Sequence, residues 1–219
     1  ERPADPDRWT LKGSRDFVTE VDRTAERLIA EILLAGPSGG RMVGEELSPH
    51  IVTEGLVWIV DPLDGTTNFL HDYPSYAVSI AAAVDNVLQA AVVLEVPHNE
   101  TYGAFRSGGA WLGKRRLAVS RINHPEFALV GTGFPFKDVS HLQEYQRQFA
   151  RVAAATSGIR RAGSAALDLA DRGYVLETGH VALADDEVGA LGDIRGGGTG
   201  DGVGDQLAAV EFLLFLREQ

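Results

Sequence analysis

The amino-acid sequence predicts an α+β fold, a layered α/β sandwich (αβαβα) of mixed or antiparallel sheets with packed helices. Residues 76–117 read as consecutive β-type runs joined by tight turns. Helical periodicity flanks them, over 19–35 on one side and over 141–155, 164–170 and 206–217 on the other. Strands and helices do not alternate one by one, so a purely parallel βαβ array is not expected.

Residues 1–15 are polar and Pro-containing and read as a loop or arm. In the first helix Ala25, Leu28, Ile29, Ile32 and Leu33 recur at helical spacing, and Thr19-Glu20-Val21-Asp22 opens it with a capping-box pattern. Gly36-Pro37-Ser38-Gly39-Gly40 stops it. Arg41-Met42-Val43 is a short strand running into Gly44-Glu45-Glu46, and Val57-Trp58-Ile59-Val60 is a buried strand ending at Asp61. Runs 76–84 and 87–96 are separated by Asp85-Asn86, a tight turn; 101–105 and 110–112 follow, and 127–130 is a further strand. The Gly/Asp-rich segment 196–204 reads as a loop. Two halves are expected, 1–126 and 127–219.

The 219 residues carry 20 Lys and Arg against 31 Asp and Glu, a net charge of −11. That balance argues against a sequence-independent nucleic-acid binder, which needs a basic footprint. With 44% hydrophobic and 23% charged residues the chain is ordinary globular material, not a disordered one. Cysteine is absent, which removes disulfides, Cys-ligated zinc and a thiol nucleophile and fits a reducing cytoplasm. No apolar run approaches the ~18 residues of a membrane span, and no secretory signal opens the chain, which begins at Glu1.

Chemistry concentrates in Trp58-Ile59-Val60-Asp61-Pro62-Leu63-Asp64-Gly65-Thr66-Thr67-Asn68-Phe69. A strand delivers Asp61, Pro62 fixes the backbone, and Asp64-Gly65-Thr66-Thr67 offers a turn and a helix start. Carboxylates for a cation beside free amides for an anion suit a metal-bridged phosphate. A plain Asp-capped turn uses the same residue types. An EF-hand is excluded, because the alternating oxygen ligands and the closing Glu are missing. The company of this motif separates the remaining readings: Gly44-Glu45-Glu46 and Asp16-Phe17-Val18-Thr19-Glu20-Val21-Asp22 precede it.

In this order the three segments resemble the inositol monophosphatase family of magnesium-dependent, lithium-sensitive phosphomonoesterases, whose superfamily includes fructose-1,6-bisphosphatases. The resemblance runs from residue 12 to about 191, through Gly103–Gly113 and Arg160–Ala170. It implies a fold of the sugar-phosphatase type, with metal motifs in 1–126 and the rest of the substrate pocket from 127–219. By the resemblance Glu45, Asp61, the Leu63 carbonyl and Asp64 are metal ligands for two or three Mg²⁺, and Thr66 paired with Asp22 orients the attacking water. Gly65 and Thr66 amides hold phosphate, and Ser164, Ala165 and Glu177 line the pocket for the alcohol. The family's Trp-Asp-x-Ala-Ala-Gly segment corresponds here to Ala184-Asp185-Asp186-Glu187-Val188-Gly189-Ala190-Leu191, which puts Asp185 at the remaining ligand position with Asp186 as competitor.

The implied activity is hydrolysis of a small sugar-alcohol phosphate, inositol 1-phosphate first, by a cytoplasmic homodimer with neither nucleic-acid nor membrane partners. Fructose-1,6-bisphosphatase activity and a catalytically weak regulatory or ligand-binding relative are the alternatives. Other catalytic classes find little support. The six histidines form no His-x-x-x-His pair, Ser164 lacks a Gly-x-Ser-x-Gly elbow, and 196–204 is no P-loop.

Overall fold

A computed structural model describes residues 9–13, 16–46, 54–118, 120, 122–133, 140 and 142–170. Its first element was read from the sequence as a loop: β1 (Thr10–Gly13) and β2 (Asp16–Val18) form an antiparallel hairpin. Helix α1 (Glu20–Ala35) starts where the capping box places it. Thr19 Oγ1 accepts the Val21 and Asp22 N–H groups, while Asp22 Oδ2 accepts the Thr19 N–H at 2.8 Å.

Strands β3 (Arg41–Gly44), β4 (Leu56–Asp64), β5 (Ala77–Val84), β6 (Val87–Glu95), β7 (Glu100–Phe105), β8 (Gly109–Leu112) and β9 (Arg115–Arg116) form one seven-stranded sheet in chain order. Only β3 and β4 run parallel; the remaining neighbours are antiparallel. The expected meander is present. Its turn at Asp85-Asn86 has φ of 49° and 63°, the two left-handed residues of a hairpin whose twist suits the flanking strands.

Alternation assigns the faces. Ala77, Val93, Tyr102, Ala104 and Ala110 make one face and bury themselves against Ala166, Leu167 and Ala170 of α4 (Ala165–Ala170). Gly44 pairs with Val60 on the opposite face, where α1 packs. The small side chains of β5 let helices approach closely. Beyond a 3-10 turn at Pro125–Phe127, β10 (Leu129–Gly131) and β11 (Gly158–Arg160) pair in parallel, linked by α3 (Leu142–Ala155). The short helix α2 (Thr66–Leu70) follows β4 directly. Mixed and antiparallel sheets with packed helices are therefore the observed architecture. Among the described residues no helix is long and apolar enough to cross a membrane. The helix expected over 206–217 and the loop over 196–204 lie outside the described residues.

The apolar periodicity of α1 does not mark its innermost face. Leu28 and Ile32 are 53% and 71% exposed, whereas the buried residues of α1 are Asp22 and Glu26. Glu26 lies over Gly44, and the space that the glycine leaves is taken by its carboxylate.

At the surface end of β6, His98 Nδ1 lies 2.6 Å from Glu95 Oε1. That hydrogen bond first, then the Glu95 charge, raises the His98 pKa above its ordinary 6.5. Because the folded value is the higher one, the pair stabilises fully below the unfolded pKa and stops doing so as pH rises through the folded value. Thermal unfolding should therefore show His98→Asn less stable than the parent near ~pH 5.5 and indistinguishable near ~pH 8.5.

Candidate active site

The C-terminal end of β4 positions the acids through an irregularity in its pairing with β5. Asp61 pairs with Ser79 and Asp64 with Ala77, so Pro62 and Leu63 together face a single residue of β5. On a regular strand, residues three apart point to opposite faces. The extra residue of this bulge corrects the phase, and since Ser79 and Ala77 share a face, so do Asp61 and Asp64. Pro62 has no N–H to give a ladder and is tolerated at such a bulge, where it is fully buried. The strand thus runs on to Asp64 instead of ending at Asp61. Both acids are buried, at 2% and 8% exposure.

Each is held by its own donors. Asp61 Oδ1 accepts the Leu63 N–H at 3.0 Å. Asp64 Oδ2 accepts the Ser164 hydroxyl at 2.5 Å and the Ala166 N–H at 2.7 Å, both from the start of α4. Ser164 is itself completely buried with its hydroxyl on Asp64, and its neighbour Ala165 is exposed.

Gly65 turns the chain into α2 at φ 92°, and a Cβ there would stand 2.9 Å from the Ser75 carbonyl oxygen, so glycine is needed for both conformation and space. The first-turn N–H groups of a helix have no intrahelical acceptors. Thr66 Oγ1 stands 3.1 Å from Asp22 Oδ1 and 3.1 Å from the Leu63 carbonyl oxygen, and it can donate its one proton to either. The other oxygen of Asp22 is taken up by the Thr19 N–H and hydroxyl, which fixes the carboxylate that faces Thr66. The predicted Asp22–Thr66 pair is therefore present as a direct hydrogen bond.

Glu45 arrives from the neighbouring strand. β3 and β4 run in the same direction with Gly44 opposite Val60, so Glu45 follows the end of β3 at the level where β4 continues into Asp61. Among the described residues no three Asp, Glu or His side chains stand close enough together to form a metal cage by themselves. Hydrogen bonds thus join Asp61, Leu63, Thr66 and Asp22 in one set and Asp64, Ser164 and Ala166 in another, while Glu45 follows the end of β3. Asp185, its competitor Asp186 and Glu177 lie outside the described residues. The donors are carboxylates, a carbonyl and a hydroxyl, without sulfur or imidazole. That all-oxygen set suits a hard divalent cation of the Mg²⁺, Mn²⁺ or Ca²⁺ kind.

Two residues of this region escaped the sequence reading. Asn68 Nδ2 donates to the Ser75 carbonyl at 2.6 Å and to the Ala162 carbonyl at 2.8 Å, tying α2 to the loop before α4. Glu26 is completely buried, and its Oε2 accepts the Glu46 N–H at 2.8 Å. Its signal in the sequence was its place one helical turn after Asp22, on the same face.

The family model described as "Inositol monophosphatase family" matches residues 4–175. The chain belongs to the inositol monophosphatase family. Similar members include the Nus factor SuhB of Pseudomonas aeruginosa, 46% identical over 73% of this chain and 60% of that protein. The inositol-1-monophosphatase of Rhizobium meliloti is 44% identical over 74% of this chain and 61% of its own length. Among solved inositol monophosphatase folds, the extragenic suppressor protein SuhB of Bartonella henselae superposes with a TM-score of 0.69 at 39% identity, covering 74% of this chain and 62% of that one. The Thermotoga maritima IMPase gives 0.64 at 31% identity, over 72% and 59% of the two chains. The chain therefore spans about 60% of the length of the curated relatives it matches.

Proposed function

We propose that the protein is a Mg²⁺-dependent phosphomonoesterase acting on a small sugar-alcohol monophosphate, with inositol 1-phosphate as the first substrate to test. The observation that supports it most is the bulge at the end of β4, which turns two buried carboxylates to one face beside the Asp22–Thr66 hydrogen bond. Glu45, Asp61, the Leu63 carbonyl and Asp64, with Asp185, would hold two or three Mg²⁺, whose chemistry is to neutralise phosphate charge and make water acidic.

The chain's own groups do the rest. Thr66 Oγ1, donating to Asp22 Oδ1, keeps its lone pairs for a proton from water, so the Thr66–Asp22 pair orients the nucleophile and receives its proton. Gly65 and Thr66 N–H groups face the phosphate oxygens. Ser164 and Ala166 keep Asp64 aimed, leaving Ala165 and Glu177 for the alcohol. The acids would repel a phosphate if they stood alone, so cation binding comes before or with the substrate.

Phosphate release should require Mg²⁺ and fall to background when EDTA removes it. A panel of phosphomonoesters including inositol 1-phosphate and fructose 1,6-bisphosphate then ranks substrates. Release that ignores EDTA would overturn the metal mechanism. A regulatory, catalytically weak role is favoured by one observation, the 46% identity to a protein named as a Nus factor. The residues Asp22, Glu45, Asp61, Asp64 and Thr66 favour catalysis, and absence of release from every ester with Mg²⁺ would decide for the regulatory role. A cytoplasmic homodimer completes the proposal; a monomer in light scattering at micromolar concentration would refute the dimer.

A further inference from the structure

We propose that Glu26 is a positioning residue for the cation site, acting through the Gly44–Glu46 turn that delivers Glu45; the role rests on the phosphatase reading above. Glu26 is completely buried on α1, one helical turn beyond Asp22. Its carboxylate brackets Glu45 on both sides in sequence. On the near side, an added Cβ at Gly44 would lie 2.0 Å from Glu26 Oε1 and 2.4 Å from its carboxyl carbon, so the carboxylate fills the space that the glycine leaves. On the far side, Glu26 Oε2 accepts the Glu46 N–H at 2.8 Å.

The direction of this hold matters. Gly44 pairs with Val60 on the α1 face of the sheet, while Asp61, the next residue of β4, points to the other face. Glu26 therefore grips the turn from the α1 face of the sheet, opposite to the face that Asp61 takes. A hydrogen bond from a backbone N–H to a carboxylate is among the stronger kinds, and burial keeps water from competing for it. Burying a carboxylate is costly, and packing alone would be served better by an apolar side chain of the same size. One helix face thus does two tasks: Asp22 sets the hydroxyl that faces water, and Glu26 sets a cation ligand.

The test is Mn²⁺ binding to the full chain without substrate, read as loss of the free Mn²⁺ paramagnetic resonance signal, with circular dichroism and metal-free melting on each variant. Glu45→Gln calibrates the site. Glu26→Met, which keeps length but has no acceptor, should weaken Mn²⁺ by about tenfold or more, as loss of an outer support of a ligand does, with a melting temperature near the parent's. Glu26→Gln retains an acceptor oxygen and should recover affinity to within about threefold. Gly44→Ala leaves Glu26 in place but displaces its carboxylate, and should weaken Mn²⁺ like Glu26→Met; it decides the matter if Glu26→Met does not fold. Parent-like Mn²⁺ affinity in Glu26→Met and Gly44→Ala, with Glu45→Gln weakened, would overturn the role of Glu26 alone. Parent-like affinity in Glu45→Gln would overturn the cation-site reading itself.

Discussion

Asp61→Asn should abolish Mg²⁺-dependent phosphate release to within a few per cent of the parent or less, a loss of ~10²-fold or more, while the protein melts almost where the parent does. The two readouts separate because the observed bond of Asp61 and its proposed role as a cation ligand have different needs. Its structural job is to accept the Leu63 N–H at 3.0 Å, and an asparagine amide oxygen in the same place accepts it equally well. The proposed role requires a full negative charge, which asparagine lacks. If Asp61 were only a turn residue, the substitution would leave activity intact and cost at most ~1 kcal/mol of stability. Phosphate release and thermal unfolding on the same preparation discriminate, and near-parent activity would remove Asp61 from the site.

Thr66→Val should lower kcat by ~10²–10⁴-fold with a much smaller change in KM, the range expected when a positioned proton acceptor is lost. Valine matches threonine in shape, so α2 keeps its packing. The lost hydroxyl removes the one proton that either Asp22 Oδ1 or the Leu63 carbonyl accepts, a cost of roughly 1–3 kcal/mol that unfolding should register. Thr66→Ser restores the hydroxyl and should recover kcat to within about tenfold. A Thr66→Val enzyme with parent kcat would show that the hydroxyl serves only to start the helix.

The Asp61 region was legible because a buried strand, a proline and a second acid stand within a few residues, and because the twelve-residue run resembles one family. The Thr19–Asp22 capping box was legible because capping is local: donors and acceptors lie three residues apart. The meander was legible from alternation and from Asp85-Asn86, whose side chains tolerate left-handed backbone.

What escaped the sequence depends on distant partners. The bulge at Pro62-Leu63 needs the register of β5, which no spacing within β4 reveals. The periodicity of α1 counted Leu28 and Ile32 as core, and apolar spacing carries no information about Gly44, 18 residues after Glu26, whose missing side chain makes room for the Glu26 carboxylate. Ser164 was expected to meet substrate; its contact with Asp64 spans 100 residues and is visible only in three dimensions. The hairpin at 10–18 was missed because two very short strands carry too little alternation to be recognised.

That contact across 100 residues has a consequence for biosynthesis. At a translation rate of roughly 5–20 residues per second, Asp64 leaves the ribosome some ~5–20 s before Ser164 does. During that interval the nascent chain carries the β4 acids without the start of α4, and Asn68 likewise waits for the Ala162 carbonyl, 94 residues away. The meander, built from neighbours in sequence, can assemble during the wait. The Asp64 carboxylate gains its two donors only once the start of α4 has been made and docked, so an unfinished chain can hold a formed sheet before Asp64 is fixed.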